Sequence, residues 1–264
     1  MNRVIASFDT DRIKEYVFST GVLKDIRGAS ALLDELNRKE MQEKVKEIDS
    51  TAECIFANGG SGMFELDESK ADDCIKAIEK LYHTKTITGS VTGTYIPIKG
   101  DDDFKEVFAG LNYKLRLAKK AKQERIQLVT NPFLRTCDSC GIEYACCQHQ
   151  DELLCKSCNL KRVNARQIKE KIKSIRNGTL KITETHLIWD WLINELLKNP
   201  DYPVKELPED FNKLGELSSP SNYIGLLYAD GNGMGARLKR LKSNYIGLLY
   251  AHGNAMDSKL KQLN

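Results

Sequence analysis

The chain has 264 residues, 41% of them hydrophobic and 29% charged, the size and composition of one large or two modest globular domains. A formal net charge of +3 is too small to make the whole molecule a polyanion binder, and no apolar run approaches the length that crosses a bilayer. Eight cysteines would staple a small secreted domain, but the start Met1-Asn-Arg-Val-Ile5 reads as lacking a signal peptide, and four cysteines look committed to metal, so a reducing cytoplasm is the expected compartment.

In chain order, 3–8 is predicted as a buried strand, and Asp9-Thr-Asp11 as the cap of a helical segment through Ile13, Tyr16 and Val17. Residues 26–48 are predicted as one long helix, with Ala29, Leu32, Leu33, Leu36 and Met41 near helical spacing. Short strands at 54–57 and 63–66 flank Asn58-Gly-Gly-Ser-Gly62, whose glycines suit a tight hairpin. A helix over 67–82 places Ala71, Cys74, Ile75, Ile78 and Leu81 on one face; 87–98 alternates as a further strand; and 101–127 forms a helix acidic at its start and basic at its end, as the helix dipole favours. The order strand, helix, strand, strand, helix, strand is the split βαβ pattern of ferredoxin-like and palm domains, an α+β fold. It predicts an antiparallel four-stranded sheet with two helices on one face. Val4, Ile5, Phe8, Ile55, Phe56, Phe64, Val91 and Tyr95 should contribute to the core, some on each face.

Two Cys-x-x-Cys knuckles follow, Cys137-Asp-Ser-Cys140 and Cys155-Lys-Ser-Cys158. Two such turns facing each other bring four thiolates into a tetrahedron, the geometry of structural zinc, and the spacing falls just under the zinc-ribbon template. A closed four-sulfur site leaves no open position for water, so no chemistry is expected at this metal. Cys146, Cys147 and His149 lie in the intervening loop as alternative ligands. A basic helix over 159–176, a second helix over 184–198 carrying Leu187, Trp189, Leu192 and Leu196, and a proline-rich acidic linker over 199–220 complete this region. The basic runs 114–125 and 156–176 read either as solvated helix faces or as an RNA or phosphate-binding surface.

The tail repeats itself. Ser221-Asn-Tyr-Ile-Gly-Leu-Leu-Tyr-Ala229 recurs verbatim over 243–251, and each copy reads as strand, turn, helix. The expected unit is a parallel strand–helix–strand over 223–251 with a right-handed crossover. In the first copy the strand delivers Asp230, followed by Gly231, Asn232, Gly233 and Gly235. Bare amides at a helix start suit a phosphate, and the carboxylate suits a magnesium ion; a glycine turn with Asp230 as helix cap is the plainer alternative. The second copy has His252 in place of the aspartate. Asp9 and Asp11 hold the equivalent place after the first strand, but the hairpin beside them offers no further carboxylate for a two-metal site.

Asp9-Thr-Asp-Arg-Ile-Lys-Glu-Tyr-Val-Phe18 and Leu23-Lys-Asp-Ile-Arg-Gly-Ala-Ser-Ala-Leu-Leu33 resemble the first palm domain of the large polymerase-like subunit of type III CRISPR effectors. The glycine hairpin, the cysteine ribbon and Tyr228-Ala-Asp-Gly-Asn-Gly-Met-Gly235 follow in that family's order. The resemblance covers about 1–240 and implies a pair of nucleotidyl-cyclase-like palms with a zinc ribbon between them. In that family the second palm binds ATP with divalent metal and can make cyclic oligoadenylates in antiviral defence. The family's acidic Gly-Gly-Asp-Asp hairpin has no counterpart here: 59–62 is Gly-Gly-Ser-Gly, as in a non-catalytic palm. The expectation is a truncated or standalone relative, inactive by itself, with a degenerate first palm at 1–130, ribbon and basic helix at 131–180, helix and linker at 181–220, and a partial second palm at 221–264. Its expected ligands are structural Zn2+ at Cys137, Cys140, Cys155 and Cys158, and ATP with Mg2+ or Mn2+ at Asp230, Gly231, Asn232, Gly233, Gly235 and Asp9. RNA, a CRISPR effector complex or a chain completing the second palm are the expected partners.

Overall fold

The computed structural model describes residues 2–99, 102–122, 133–177, 179, 210–216 and 221. Strand β1 (Arg3–Asp11) is followed by a short helix α1 (Ile13–Val17) and by α2 (Leu23–Glu35), which runs through a π-helical turn (Leu36–Glu40) into α3 (Met41–Ile48). Strands β2 (Glu53–Asn58) and β3 (Ser61–Asp67), helix α4 (Ala71–Thr86), β4 (Ser90–Ile98) and α5 (Phe104–Lys122) complete the first unit. The sheet has the order β2-β3-β1-β4, antiparallel throughout, which is the ferredoxin-like arrangement the element order implied.

The two faces of β1 follow from strand periodicity. Val4, Ala6 and Phe8 face α2, α3 and α4 in one core, where Phe8 meets Phe64 edge-on with ring centroids 6.0 Å apart. Ile5 faces the other way and packs with Met63, Ile55, Phe56, Ile96 and the Phe104, Val107, Phe108 and Leu111 stripe of α5. The eight expected core residues divide between these layers: Val4, Phe8, Phe64, Val91 and Tyr95 on the first, Ile5, Ile55 and Phe56 on the second. The continuous α2–α3 helix and α4 cover one face, the two helices expected there, and α5 covers the other.

Local chemistry sets the connections. Gly59 and Gly60, at φ 63° and 89°, form a two-residue hairpin turn whose positive φ angles match the strand twist. The π turn accommodates Asn37, whose buried amide donates to the Leu33 carbonyl at 2.8 Å and accepts from the Tyr82 hydroxyl at 2.6 Å. The last strand begins at Ser90 rather than Ile87, because Ile87 adopts φ 68° to end α4.

One further expectation is corrected. Asp11 does not cap a helix: β1 continues through it, Arg12 turns the chain at φ 47°, and no side chain caps α1. Within the range expected as a linker, 211–216 forms a short helix, α7 (Phe211–Glu216), begun by the Asp210 carboxylate accepting from the Lys213 amide at 2.7 Å. The helix expected over 184–198 and the duplicated strand–helix tail lie outside the described residues. Among the described residues, no helix is long and apolar enough to cross a membrane.

Candidate metal centre and the palm tip

The second unit is built around the cysteines. Strands β5 (Cys147–His149) and β6 (Glu152–Leu154) form a hairpin, and α6 (Lys156–Arg176) leaves directly from it. The first knuckle is closed by Gly141, which takes φ 68° and donates its amide to the Cys137 carbonyl at 2.9 Å. The second knuckle is the first turn of α6, so the helix starts at Lys156 rather than near Asn159. This places the Cys158 amide 3.3 Å from the Cys155 sulfur, where it donates.

The four sulfurs of Cys137, Cys140, Cys155 and Cys158 all lie within 4.8 Å of one another. Zinc–sulfur bonds of about 2.3 Å in a tetrahedron require sulfurs about 3.8 Å apart. Cys140 and Cys155 stand at 3.9 Å, so the donor set could hold a metal such as zinc. Three of the four cysteines are buried, and Cys140 is partly exposed. The Cys155 thiol is drawn down to about 5, chiefly by the hydrogen bond from the Cys158 side chain, and the Cys158 thiol is pushed up by that same bond and by burial. Cys146 and Cys147 pair with each other at 3.3 Å, and His149 Nε2 meets Arg166 at 3.0 Å. None of these three residues is part of the four-sulfur cluster.

The ribbon and α6 dock on the palm through buried polar contacts. Asp25 of α2 receives both arms of Arg162, Nε at 3.0 Å and the second guanidinium nitrogen at 2.8 Å, with side-chain exposures of 0% and 4%. Ser139, inside the first knuckle, donates to Asp25 at 2.7 Å. Ser157 donates to the Thr86 carbonyl at 2.9 Å, and Lys161 donates to the Tyr16 carbonyl at 2.6 Å. Gly28 lets the helices touch: a Cβ there would lie 1.8 Å from the Lys161 carbonyl oxygen. Between the units lies a cleft of about 220 Å³ lined in part by Asp11, Arg12, Tyr16, Ser90, Cys140 and Cys158. The basic helix is therefore not a uniformly solvated face, since Lys161 and Arg162 are both buried.

Sequence reasoning missed Asp25, Lys161 and Arg162, although the spacing held the signal. Asp25 falls on the same helical stripe as Ala29, Leu32 and Leu33, where a charge demands a partner. Lys161 and Arg162 stand three and four residues after Cys158, on the face that carries the metal ligand.

At the tip of β1, Asp9 and Asp11 converge on one ammonium group. Lys119 of α5 lies 2.6 Å from Asp9 and 3.3 Å from Asp11. Ser61 donates to Asp9 at 2.9 Å, while Thr92 and Ser90 donate to Asp11 at 2.9 and 3.0 Å. The carboxylates of this palm are thus held by a lysine and three hydroxyls. Asp230, Gly231, Asn232, Gly233 and Gly235 lie outside the described residues.

A ferredoxin-like palm carrying a four-cysteine ribbon is the class of protein that fold and site define. No protein-family model matches the chain, and no curated protein does. Among solved structures the chain is similar, at low identity and partial coverage, to Csm1 of the type III-A CRISPR Csm1–Csm4 cassette. The cassette in complex with cA3 matches at 18% identity and a TM-score of 0.40, over 46% of this chain and 19% of that one. The cassette in complex with pppApApA matches at 18% identity and 0.39, over 47% and 19%. The Csm1–Csm4 subcomplex in the type III-A CRISPR-Csm interference complex matches at 19% identity and 0.38, over 46% and 19%. The chain therefore spans about a fifth of the length of the chains it matches.

Proposed function

We propose that this chain is a palm and zinc-ribbon protein of CRISPR-linked antiviral defence, one that scaffolds an assembly and holds nucleotide but does not catalyse by itself. The observation that carries the non-catalytic reading of the first palm is Lys119 lodged between Asp9 and Asp11. A palm that transfers nucleotidyl groups needs its carboxylates free for divalent ions. Here an ammonium group occupies their common focus, and the adjoining hairpin supplies glycines and a serine instead of acids. The ordered motifs from Asp9 to Gly235 support the kinship, and the four clustered sulfurs support one structural zinc ion on Cys137, Cys140, Cys155 and Cys158. The degenerate first palm ends near residue 130, the ribbon and basic helix occupy 131–180, and a partial second palm begins near 221. That palm carries Asp230 with Gly231, Asn232, Gly233 and Gly235 as the site for ATP with Mg2+ or Mn2+.

Incubation with labelled ATP and Mg2+ or Mn2+ tests the reading. The expected result is metal-dependent ATP binding, abolished by Asp230→Ala, with no oligoadenylate product. A linear or cyclic oligoadenylate made by the purified chain would overturn the non-catalytic reading in favour of an active nucleotidyltransferase. Elemental analysis should find one zinc per chain.

A further inference from the structure

Of the eight cysteines, four form the cluster, and Cys54 and Cys74 lie in the palm on β2 and α4. The other two, Cys146 and Cys147, are neighbours in sequence, and their sulfurs meet at 3.3 Å. Sequence adjacency alone does not produce this contact, because successive side chains of a strand point to opposite faces. Cys147 is the first residue of β5, paired with Leu154, and Cys146 lies just outside the strand. Beyond the pleat, the Cys146 side chain turns to the same side as that of Cys147. The Cys146 amide donates to the Leu154 carbonyl at 2.9 Å and anchors the pair to β6.

Reagents in solution can reach this pair. Cys146 is exposed and Cys147 half-buried, whereas Cys137, Cys155 and Cys158 are buried. Neither sulfur belongs to the four-sulfur cluster. Two thiols in contact at a surface can together give up two electrons and two protons and form one bond. A disulfide holds its sulfurs about 2.0 Å apart, so from 3.3 Å the pair closes by about 1.3 Å. Neighbouring α-carbons lie only about 3.8 Å apart. Disulfides usually span about 4.4–6.8 Å between α-carbons, so the ring formed here is strained and easily reduced again.

We propose that Cys146 and Cys147 form a reversible redox site, modified as a pair by small disulfides of the glutathione class and separate from the four-sulfur cluster. The more exposed Cys146 attacks first, as its thiolate. A bond forms between its sulfur and one sulfur of the incoming disulfide, the S–S bond of that disulfide breaks, and one glutathione thiolate leaves. Cys147 then gives its proton to solvent, and its sulfur attacks that of Cys146 and expels the second glutathione as thiolate. Two protein thiols are oxidised and one disulfide is reduced, and the two protons reach the released glutathione thiolates through solvent. Excess thiol reverses both steps.

The test incubates the full chain, supplied with zinc, with excess oxidised glutathione, quenches with N-ethylmaleimide and locates every modified cysteine by tandem mass spectrometry. Wild type should gain a Cys146–Cys147 bond with no lasting glutathione adduct at either residue, and should lose that bond on treatment with dithiothreitol. Cys147→Ser should instead trap glutathione on Cys146, and Cys146→Ser should form no ring. Three results would each overturn the proposal: a lasting glutathione adduct on wild-type Cys146, a bond from either residue to a cluster cysteine, or both residues alkylated as thiols after the incubation. The position of the bond is read whether or not the cluster holds zinc, so a failure of the metal reading leaves this test intact. Should the serine variants not fold, phenylarsine oxide on wild type decides. Its arsenic should bridge the Cys146 and Cys147 sulfurs with loss of water, resist a monothiol wash, and fail to bind after the glutathione treatment; arsenic located on other cysteines, or none bound, would overturn the pairing.

Discussion

Replacing Gly28 by alanine should force α2 and α6 apart. The new methyl group would stand 1.8 Å from the Lys161 carbonyl oxygen, 2.7 Å from its carbon and 3.1 Å from the Ala165 nitrogen. Ordinary contact begins at 3.4 Å, so the helices must separate by about 1.6 Å, and backbone atoms cannot turn aside as a side chain could. Crowding of this kind costs about 1–3 kcal/mol. The same displacement would stretch the Asp25–Arg162 contacts from 2.8 and 3.0 Å beyond hydrogen-bonding distance, and breaking a buried pair costs about 3–5 kcal/mol. The better helix propensity of alanine returns only about 1 kcal/mol. The expected net loss is about 3–5 kcal/mol, because the two penalties overlap when the interface opens as a unit. Urea denaturation followed by tryptophan-independent far-UV circular dichroism measures it, with zinc content determined in parallel. Gly21→Ala is the control, since nothing lies within 4 Å of a Cβ there, and it should stay within about 0.5 kcal/mol of wild type. A Gly28→Ala protein as stable as that control would show that the helices do not dock through this contact.

The remaining predictions concern charges on the palm. Burial raises the Asp49 carboxyl, but hydrogen bonds from the Thr51 hydroxyl and from the Asp67 and Thr51 amides outweigh it and hold the group below its ordinary value. A lowered carboxyl stabilises the fold above its unfolded value and loses that contribution as pH falls through the folded one. Asp49→Asn should therefore cost about 1.5–3 kcal/mol near neutrality, with the gap to wild type closing below the ordinary carboxylate range in a pH series of urea melts; a gap that persists unchanged into strong acid would contradict this. Lys119→Met should leave Asp9 and Asp11 facing each other without their shared cation and add weak Mn2+ binding above the wild-type level in the absence of nucleotide, visible by paramagnetic relaxation. Equal relaxation in both proteins would mean that the lysine does not occupy the cation position.

The palm was legible because its information is local. Alternation in β1 assigns Val4 and Phe8 to one face and Ile5 to the other, and Gly59-Gly60 admits a tight two-residue turn. The cysteine spacing likewise brought four sulfurs together as expected. Asp11 was misread for a physical reason: an acid before a helix caps it in most contexts, but here Ser90 and Thr92 on β4 and Lys119 on α5 claim the carboxylate across about 80–110 residues of chain. No local pattern reports a partner so distant. The π turn was hidden likewise, since Asn37 inserts into a helix for the sake of Tyr82, forty-five residues away.

The ribbon differs from the palm in what holds it together. Its buried hydrophobic cluster consists of Leu154 and three cysteines, with Cys140 partly buried beside them. One leucine offsets little of the conformational entropy of ordering some twenty residues, and a metal ion on the four cysteines, which could hold one such as zinc, would supply the difference. The palm has two apolar layers of its own and needs no such help. Chelation of a zinc-loaded protein should therefore melt the ribbon and free α6 while the β2-β3-β1-β4 sheet persists. Hydrogen exchange can follow the two separately: amides of 137–158 should lose protection on chelation, and those of β1 and β3 should keep it. Loss of protection in both at once would mean that the palm depends on the ribbon, through Asp25 and Gly28, for its own stability. That outcome would make the interface part of the palm's core rather than a joint between two units.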